Sequence, residues 1–149
     1  MFIRKAKERD ASAILELELA CFNVSNDMRS IKHHIISPSI TCKVAVIDEL
    51  VVGAISIFYR NNSKRAYIAS VSVHKDYRRR GIGTKLMAAA ERDIRKNGCD
   101  TITLYVMDYN KIAEHLYQKL GFKRIRYAKD VFEDAPAWFM ERKLVTRSH

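Results

Sequence analysis

The chain of 149 residues contains no apolar run approaching the roughly 20 residues that cross a bilayer, so it is expected to span no membrane. Its first ten residues, Met1 to Asp10, interleave charges of both signs, which does not fit the apolar core of a secretory signal. The expected setting is therefore a soluble, cytoplasmic protein. Cysteine is scarce. Cys21, Cys42 and Cys99 lie far apart with no C-x-x-C pair, which argues against a disulfide framework or a zinc site and suits three small buried hydrophobes. Neither a Ser/His/Asp nor a Cys/His arrangement suggests an acyl-enzyme, and no metal is implied. Acidic residues are outnumbered, 17 against 27 basic, for a formal charge of +10. A field of that sign attracts nucleotide phosphates, nucleic acid or the ribosome surface. No aromatic-interleaved basic stretch points to base stacking.

Hydrophobic residues make up 48% of the chain, enough for a globular core, and no repeat, linker or low-complexity segment divides it. Residues 1–149 are thus expected to form a single domain. Phe2 to Lys5 reads as a strand. Asp10 is a plausible cap for a helix carrying Ile14, Leu17 and Cys21, and Ser25 or Asn26 for a second helix that stops before Pro38. Ile40 to Ile47 and Leu50 to Tyr59 are β-branched runs joined by a turn at Asp48-Glu49, and Ala66 to His74 is a third long strand. An amphipathic helix over Thr84 to Lys96 ends at Asn97-Gly98. The run Thr101 to Met107 is apolar enough to be buried on both faces. Asn110 caps a helix closed by Gly121, and strands follow over Phe122 to Tyr127 and Ala137 to Leu144. The order β-α-α-β-β-β-α-β-α-β-β describes an α/β domain with about seven strands in one mixed sheet and about four helices.

The most informative stretch is Val71-Ser72-Val73-His74-Lys75-Asp76-Tyr77-Arg78-Arg79-Arg80-Gly81-Ile82-Gly83-Thr84. A strand ends, a basic turn with two glycines follows, and a helix begins. Unpaired N–H groups at a helix start, glycines that admit close approach and adjacent arginines together suit a phosphate. The Walker pattern is absent, and the dinucleotide pattern fails where its third glycine would stand, at Leu86. Asp108 ends the next strand near the place of a ribose-binding acid, which leaves a nucleotide reading open.

Arg78-Arg79-Arg80-Gly81-Ile82-Gly83 resembles the [Q/R]-x-x-G-x-[G/A] signature of the GNAT family, the GCN5-related N-acetyltransferases. Leu104 to Phe122 resembles the family's second signature, V-x-x-x-N-x-x-A-x-x-x-Y-x-x-x-G-F, through Asn110, Ala113, Tyr117, Gly121 and Phe122. Within the family the chain is most similar to the RimI/Ard1 group, which acetylates protein N-termini, through Tyr67-Ile68-Ala69-Ser70-Val71, Tyr77 to Leu86 and Glu133 to Met140. The resemblance implies a GNAT fold: a mixed, mostly antiparallel sheet flanked by helices.

It also implies acetyl-CoA as co-substrate. Backbone amides of Arg79 to Thr84 (Arg79, Arg80, Gly81, Ile82, Gly83, Thr84), with Arg78 beside them, would cradle its pyrophosphate. The strand edge Val71-Ser72-Val73 would pair with the pantetheine arm, in a wedge opened by a β-bulge. Asn110 would lie near the thiol end, the Val73 amide would serve the oxyanion, and Tyr117 would be the general acid. The base is open. RimI-type relatives carry a glutamate where this chain has Tyr105. Other N-terminal acetyltransferases pair a tyrosine at the place of Tyr67 with a histidine at the place of Tyr105. Tyr67 fits a water relay and Tyr105 a wall of the amine site, while His74 and Asp108 remain open as acceptors. The implied partner is a protein N-terminus, with ribosome association. The loop Phe22-Asn23-Val24-Ser25 and the segment Tyr127 to Pro136 would be its walls. Acetylation of a small amine, such as a polyamine or aminoglycoside, is the second reading, and a non-catalytic acyl-CoA or nucleic-acid binding module the third.

Overall fold

The computed structural model describes residues 1–22, 26–133 and 135–145. Ser25, one of the two expected helix caps, the 23–25 part of the expected peptide wall and Asp134 lie outside them. Among the described residues there are seven strands: β1 (Phe2–Lys5), β2 (Ile40–Ile47), β3 (Leu50–Tyr59), β4 (Arg65–Val73), β5 (Thr101–Met107), β6 (Lys123–Ala128) and β7 (Ala137–Lys143). They form one sheet in the order β1-β2-β3-β4-β5-β7-β6, antiparallel throughout except between β4 and β5. Four α-helices flank it: α1 (Ala11–Cys21), α2 (Met28–Ile36), α3 (Ile82–Lys96) and α4 (Lys111–Lys119). This is the expected α/β architecture, in the expected order. No helix among the described residues is long and apolar enough to cross a membrane.

Strand alternation divides the apolar residues between two layers. Cys42, Val44 and Val46 of β2 pack with Ile14, Leu17, Ile31 and Ile35 of α1 and α2. Ile55 and Ile57 of β3, Ile68 of β4 and Ile102, Leu104 and Val106 of β5 pack instead with Leu86, Ala90 and Ile94 of α3 and Tyr117 of α4. The β2–β3 turn is made by Asp48 and Glu49, both left-handed (φ +48° and +68°), the geometry a two-residue hairpin loop demands.

Local capping departs from expectation at two places. Asp10 precedes α1 but does not cap it with its carboxylate, which accepts instead from Arg4 (2.7 and 2.9 Å) and from the Lys7 N–H (2.7 Å). A guanidinium offers more than one helix amide. The α2 cap is Asp27, whose carboxylate accepts from Ser30 N–H at 2.9 Å, whereas Asn26 turns inward. Helix α3 starts two residues earlier than expected, at Ile82.

The feature that positions the site is a bulge in β4. Ser56 pairs with Ser70 but Ile57 with Ile68, so Ala69 is an extra residue opposite β3. Parallel pairing with β5 ends at the same point, with Ile68↔Leu104 the last pair. Beyond it β4 follows β3 to Val73, while β5 stays bonded to β7 as far as Met107↔Ala137. The two strands part, and their facing edges are left unpaired.

Candidate active site

A cavity of about 360 Å³ occupies the wedge between the parted strands. Ala69, Ser70 and Val71 of β4 and Leu104 to Met107 of β5 form two walls. Glu18, Cys21 and Phe22 at the end of α1, His34 of α2, and Asn110, Ala113 and Tyr117 at α4 complete it. His74 donates its N–H to the Val52 carbonyl at 2.8 Å. Because strand amides alternate in direction, Val71 and Val73 then point their N–H and C=O away from β3, toward the open edge. Ser72 between them faces Ala54 with its main chain, and its side chain is buried with a hydroxyl that finds no partner among the described residues. Of the expected strand-edge trio, Val71 borders the cavity. Val73 does not, and its carbonyl already accepts from Arg78 Nε (3.3 Å) and Cys21 Sγ (3.6 Å).

At the outer end, the turn into α3 has the form an anion requires. Arg79 (φ +65°) and Gly81 (φ +76°) are both left-handed and bring successive N–H groups round to one side. The first intrahelical bond runs from Lys85 N–H to the Gly81 carbonyl at 3.0 Å, so the amides of Ile82, Gly83 and Thr84 have no partner within the helix. A Cβ at Gly81 would meet no atom within 4 Å, so the space above the turn is open. Arg79 and Arg80 are exposed, Arg80 with its guanidinium 4.9 Å from the Tyr77 ring, and Arg78 bends back toward β4 and Cys21.

At the inner end, Tyr117 is buried and borders the cavity. Burial pushes its hydroxyl up to about 12, which keeps the proton on at neutral pH. Asn110 Oδ1 accepts from Ala113 N–H at 3.2 Å, so it caps α4 while bordering the cavity. Tyr105 lines the cavity with its hydroxyl accepting from Arg126 Nη2 at 3.2 Å. Tyr67 is absent from the wall. Its ring packs edge-on between Phe58 (6.2 Å) and Tyr105 (6.1 Å), and burial, then Tyr105, raises its pKa. The other open acceptors are also outside the wall: His74 Nδ1 accepts from Asp76 N–H at 3.1 Å, and Asp108 accepts from the Tyr127 hydroxyl at 2.6 Å. Of the two expected peptide walls, Phe22 and Phe132 line the cavity.

Unforeseen from the sequence is a polar cluster on the α1 side. The Glu18 carboxylate is buried, accepts from Asn26 Nδ2 (2.7 Å) and Ser70 Oγ (3.1 Å), and borders the cavity. Ser70 in turn shares a hydrogen bond of 2.8 Å with Ser56. A signal was present. Ile14, Glu18 and Cys21 follow helical spacing, which places a carboxylate on the apolar stripe. Cys21, expected as a buried hydrophobe like Cys42 and Cys99, is half-buried in the cavity wall.

The parted parallel strands, the bulge and the amide-rich turn agree with the acyl-CoA-binding fold that the sequence resemblance implies, and the comparisons with known proteins identify the family. The Acetyltransferase (GNAT) family model matches residues 7–122, and the chain belongs to that family. It is 34% identical over 108 residues to N-alpha-acetyltransferase 50 of Danio rerio, covering 68% of this chain and 64% of that protein. It is 30% identical over 150 residues to thialysine N-epsilon-acetyltransferase of Bos taurus, covering 87% and 88%. The fold is similar to that of Ard1 from Thermoplasma volcanium, with a TM-score of 0.88, 23% identity, and 97% and 98% of the two chains covered. The chain spans 24–64% of the length of the N-alpha-acetyltransferases 30 and 50 that it matches.

Proposed function

We propose that this protein transfers an acetyl group from acetyl-CoA directly to a primary amine, the α-amino group of a protein N-terminus. The observation that carries this reading is the wedge itself: an unpaired β4 edge with the Val71 amide facing a cavity that also holds the Tyr117 hydroxyl. Acetyl-CoA fits these residues. The amides from Arg79 to Thr84 and the open space above Gly81 suit its pyrophosphate, and the free edge at Val71 suits the amides of its pantetheine arm. It supplies an activated acyl carbon and a sulfur leaving group. The chain's own residues then have distinct tasks. The Val71 N–H, rather than that of Val73, donates to the acyl oxygen as negative charge builds there. Tyr117 holds a proton for the departing sulfur. Asn110 borders the thiol end, and Tyr105, Phe132 and Phe22 bound the amine side. Tyr67 supports Tyr105 by edge-on packing.

An α-amino group near pKa 8 loses its proton about 3 kcal/mol more easily than a lysine near 10.4. That favours an N-terminus over an ε-amine at neutral pH, as does the relation to N-alpha-acetyltransferase 50. The relation to thialysine N-epsilon-acetyltransferase over most of both chains favours a small-amine substrate as the second reading. Mass spectrometry of peptides with free and with blocked amino termini, incubated with protein and acetyl-CoA beside a polyamine and thialysine, separates them. A mass gain of one acetyl on free-terminus peptides is expected. Acetylation of the small amines alone overturns the N-terminal reading.

A further inference from the structure

Among the described residues three acids are buried: Asp10, Glu18 and Glu114. Two of them are ion pairs, Asp10 with Arg4 and Glu114 with Arg124. Among the described residues Glu18 has only neutral donors, Asn26 and Ser70. His34 across from it does not supply the missing cation, because burial lowers its pKa and keeps the ring neutral near pH 7. A carboxylate removed from water without a cation is costly, and at functional sites such a group faces the charge it serves. Here it faces the cavity that holds the Val71 main chain and Tyr117.

We infer that Glu18 receives the ammonium group of the acceptor and takes its proton, which makes it the base of the transfer. This rests on the amine-acetylation reading above, and it assigns the one role that no sequence candidate at the cavity wall fills. The ammonium hands one proton to a Glu18 oxygen and becomes a neutral amine. Its lone pair forms the C–N bond as the C–S bond breaks, and sulfur takes the Tyr117 proton. The second proton shed by nitrogen restores the Tyr117 hydroxyl, and Glu18 returns its own to solvent. Asn26 and Ser70 hold the carboxylate in place, and Ser56 backs Ser70. The titratable groups that share the cavity walls with Glu18 are Cys21, His34, Cys42, Tyr105, Tyr109 and Tyr117. Burial pushes Cys42 up to about 11 and Tyr117 to about 12, so neither competes for the proton at neutral pH.

Glu18→Gln keeps the shape and an acceptor oxygen. With a free-terminus peptide the inference requires kcat to fall by about 10²–10⁴-fold, the range of general base catalysis, at unchanged acetyl-CoA affinity. The deficit must also shrink as pH rises past about 8, where solution itself deprotonates an α-amino group. A structural role would lower the rate equally at every pH. Wild-type kcat in the variant, or a pH-independent deficit, overturns the inference. Should Glu18→Gln melt early, Glu18→Asp serves instead: part of the activity must survive with the wild-type pH profile, and loss of all activity at neutral pH in the folded variant counts against the base. If the wild type acetylates no amine tested, the transfer reading fails, and Glu18 is judged by calorimetry alone. Free-terminus peptides must then bind the CoA-loaded wild type and not the Gln variant, and equal affinity sinks it.

Discussion

The two ends of the wedge are built from different materials. At the α3 end, the proposed anion site is the main chain of six successive residues, Arg79 to Thr84, on an exposed turn with left-handed Arg79 and Gly81. At the α1 end, Glu18, Asn26, Ser56 and Ser70 come from four separate segments and are joined through their side chains, with Glu18 and Ser56 buried and Asn26 and Ser70 half-buried. In the proposed reading the first end recognises a charge common to every CoA thioester, which needs only N–H donors and room. The second, on the inference above, positions and deprotonates one particular nitrogen, which needs a carboxylate whose partners are fixed in three dimensions. Binding and chemistry are therefore separable in this molecule, and substitutions at each end should show it.

The largest effect belongs to the α3 end. Gly81→Glu forces an L-residue into a left-handed conformation, costing about 1–2 kcal/mol, and aims a carboxylate into the space above the turn. Two like charges repel by about 4 kcal/mol at ~4 Å and an effective dielectric of ~20. Screening at an exposed turn leaves about a hundredfold loss of CoA affinity, read by calorimetry. Gly81→Ala carries the same backbone cost, but its Cβ meets nothing within 4 Å, so CoA affinity should change far less than the melting temperature. Equal CoA affinity in wild type and Gly81→Glu would remove the anion site from the turn.

The same contrast explains what the sequence disclosed. The Asp48-Glu49 hairpin and the Asn110 cap depend on residues within four positions of one another and appear where expected, and the turn into α3 is displaced by only two residues. Asp10 shows the limit of such patterns, since a side chain on a neighbouring strand, Arg4, competes for the carboxylate that a local rule assigns to the helix. Val71, and not Val73, borders the cavity, because the bulge at Ala69, visible only in the β3–β4 register, sets where the wedge opens. Helical spacing puts Glu18 on the buried face, but Ser70, 52 positions away, is what holds it there.

Tyr117→Phe sharpens the separation from the chemical side. The ring stays packed edge-on against Phe122 at 5.9 Å, so cofactor affinity and melting temperature should hold. Only the proton for the departing sulfur is lost, and kcat should fall by about 10²-fold, the lower range for a general acid. With its pKa pushed to about 12, the wild-type hydroxyl is protonated across the working range, so loss of Tyr117 should leave the neutral limb of the pH profile in place. Unchanged turnover would move the acid elsewhere in the cavity.

The smallest effect on activity, and the sharpest contrast with Glu18, comes from Glu114. This second buried carboxylate lies on α4 outside the cavity wall and is paired with Arg124. The Arg124 hydrogen bonds, the largest cause, hold its pKa below the ordinary glutamate value. A depressed folded-state pKa contributes stability above the unfolded value, about 4.3, and that stability is lost as pH falls through the folded value. Glu114→Gln should therefore melt a few degrees below wild type at neutral pH, and the gap should close on acidification below about pH 4, where the wild-type carboxyl also protonates. Its kcat should match wild type at every pH where the protein is folded. Glu18→Gln should behave in the opposite way, with a rate deficit that varies with pH and a much smaller change in melting. If both variants changed only the melting temperature, the two carboxylates would be equivalent supports of the fold, and the missing cation beside Glu18 would have no catalytic meaning.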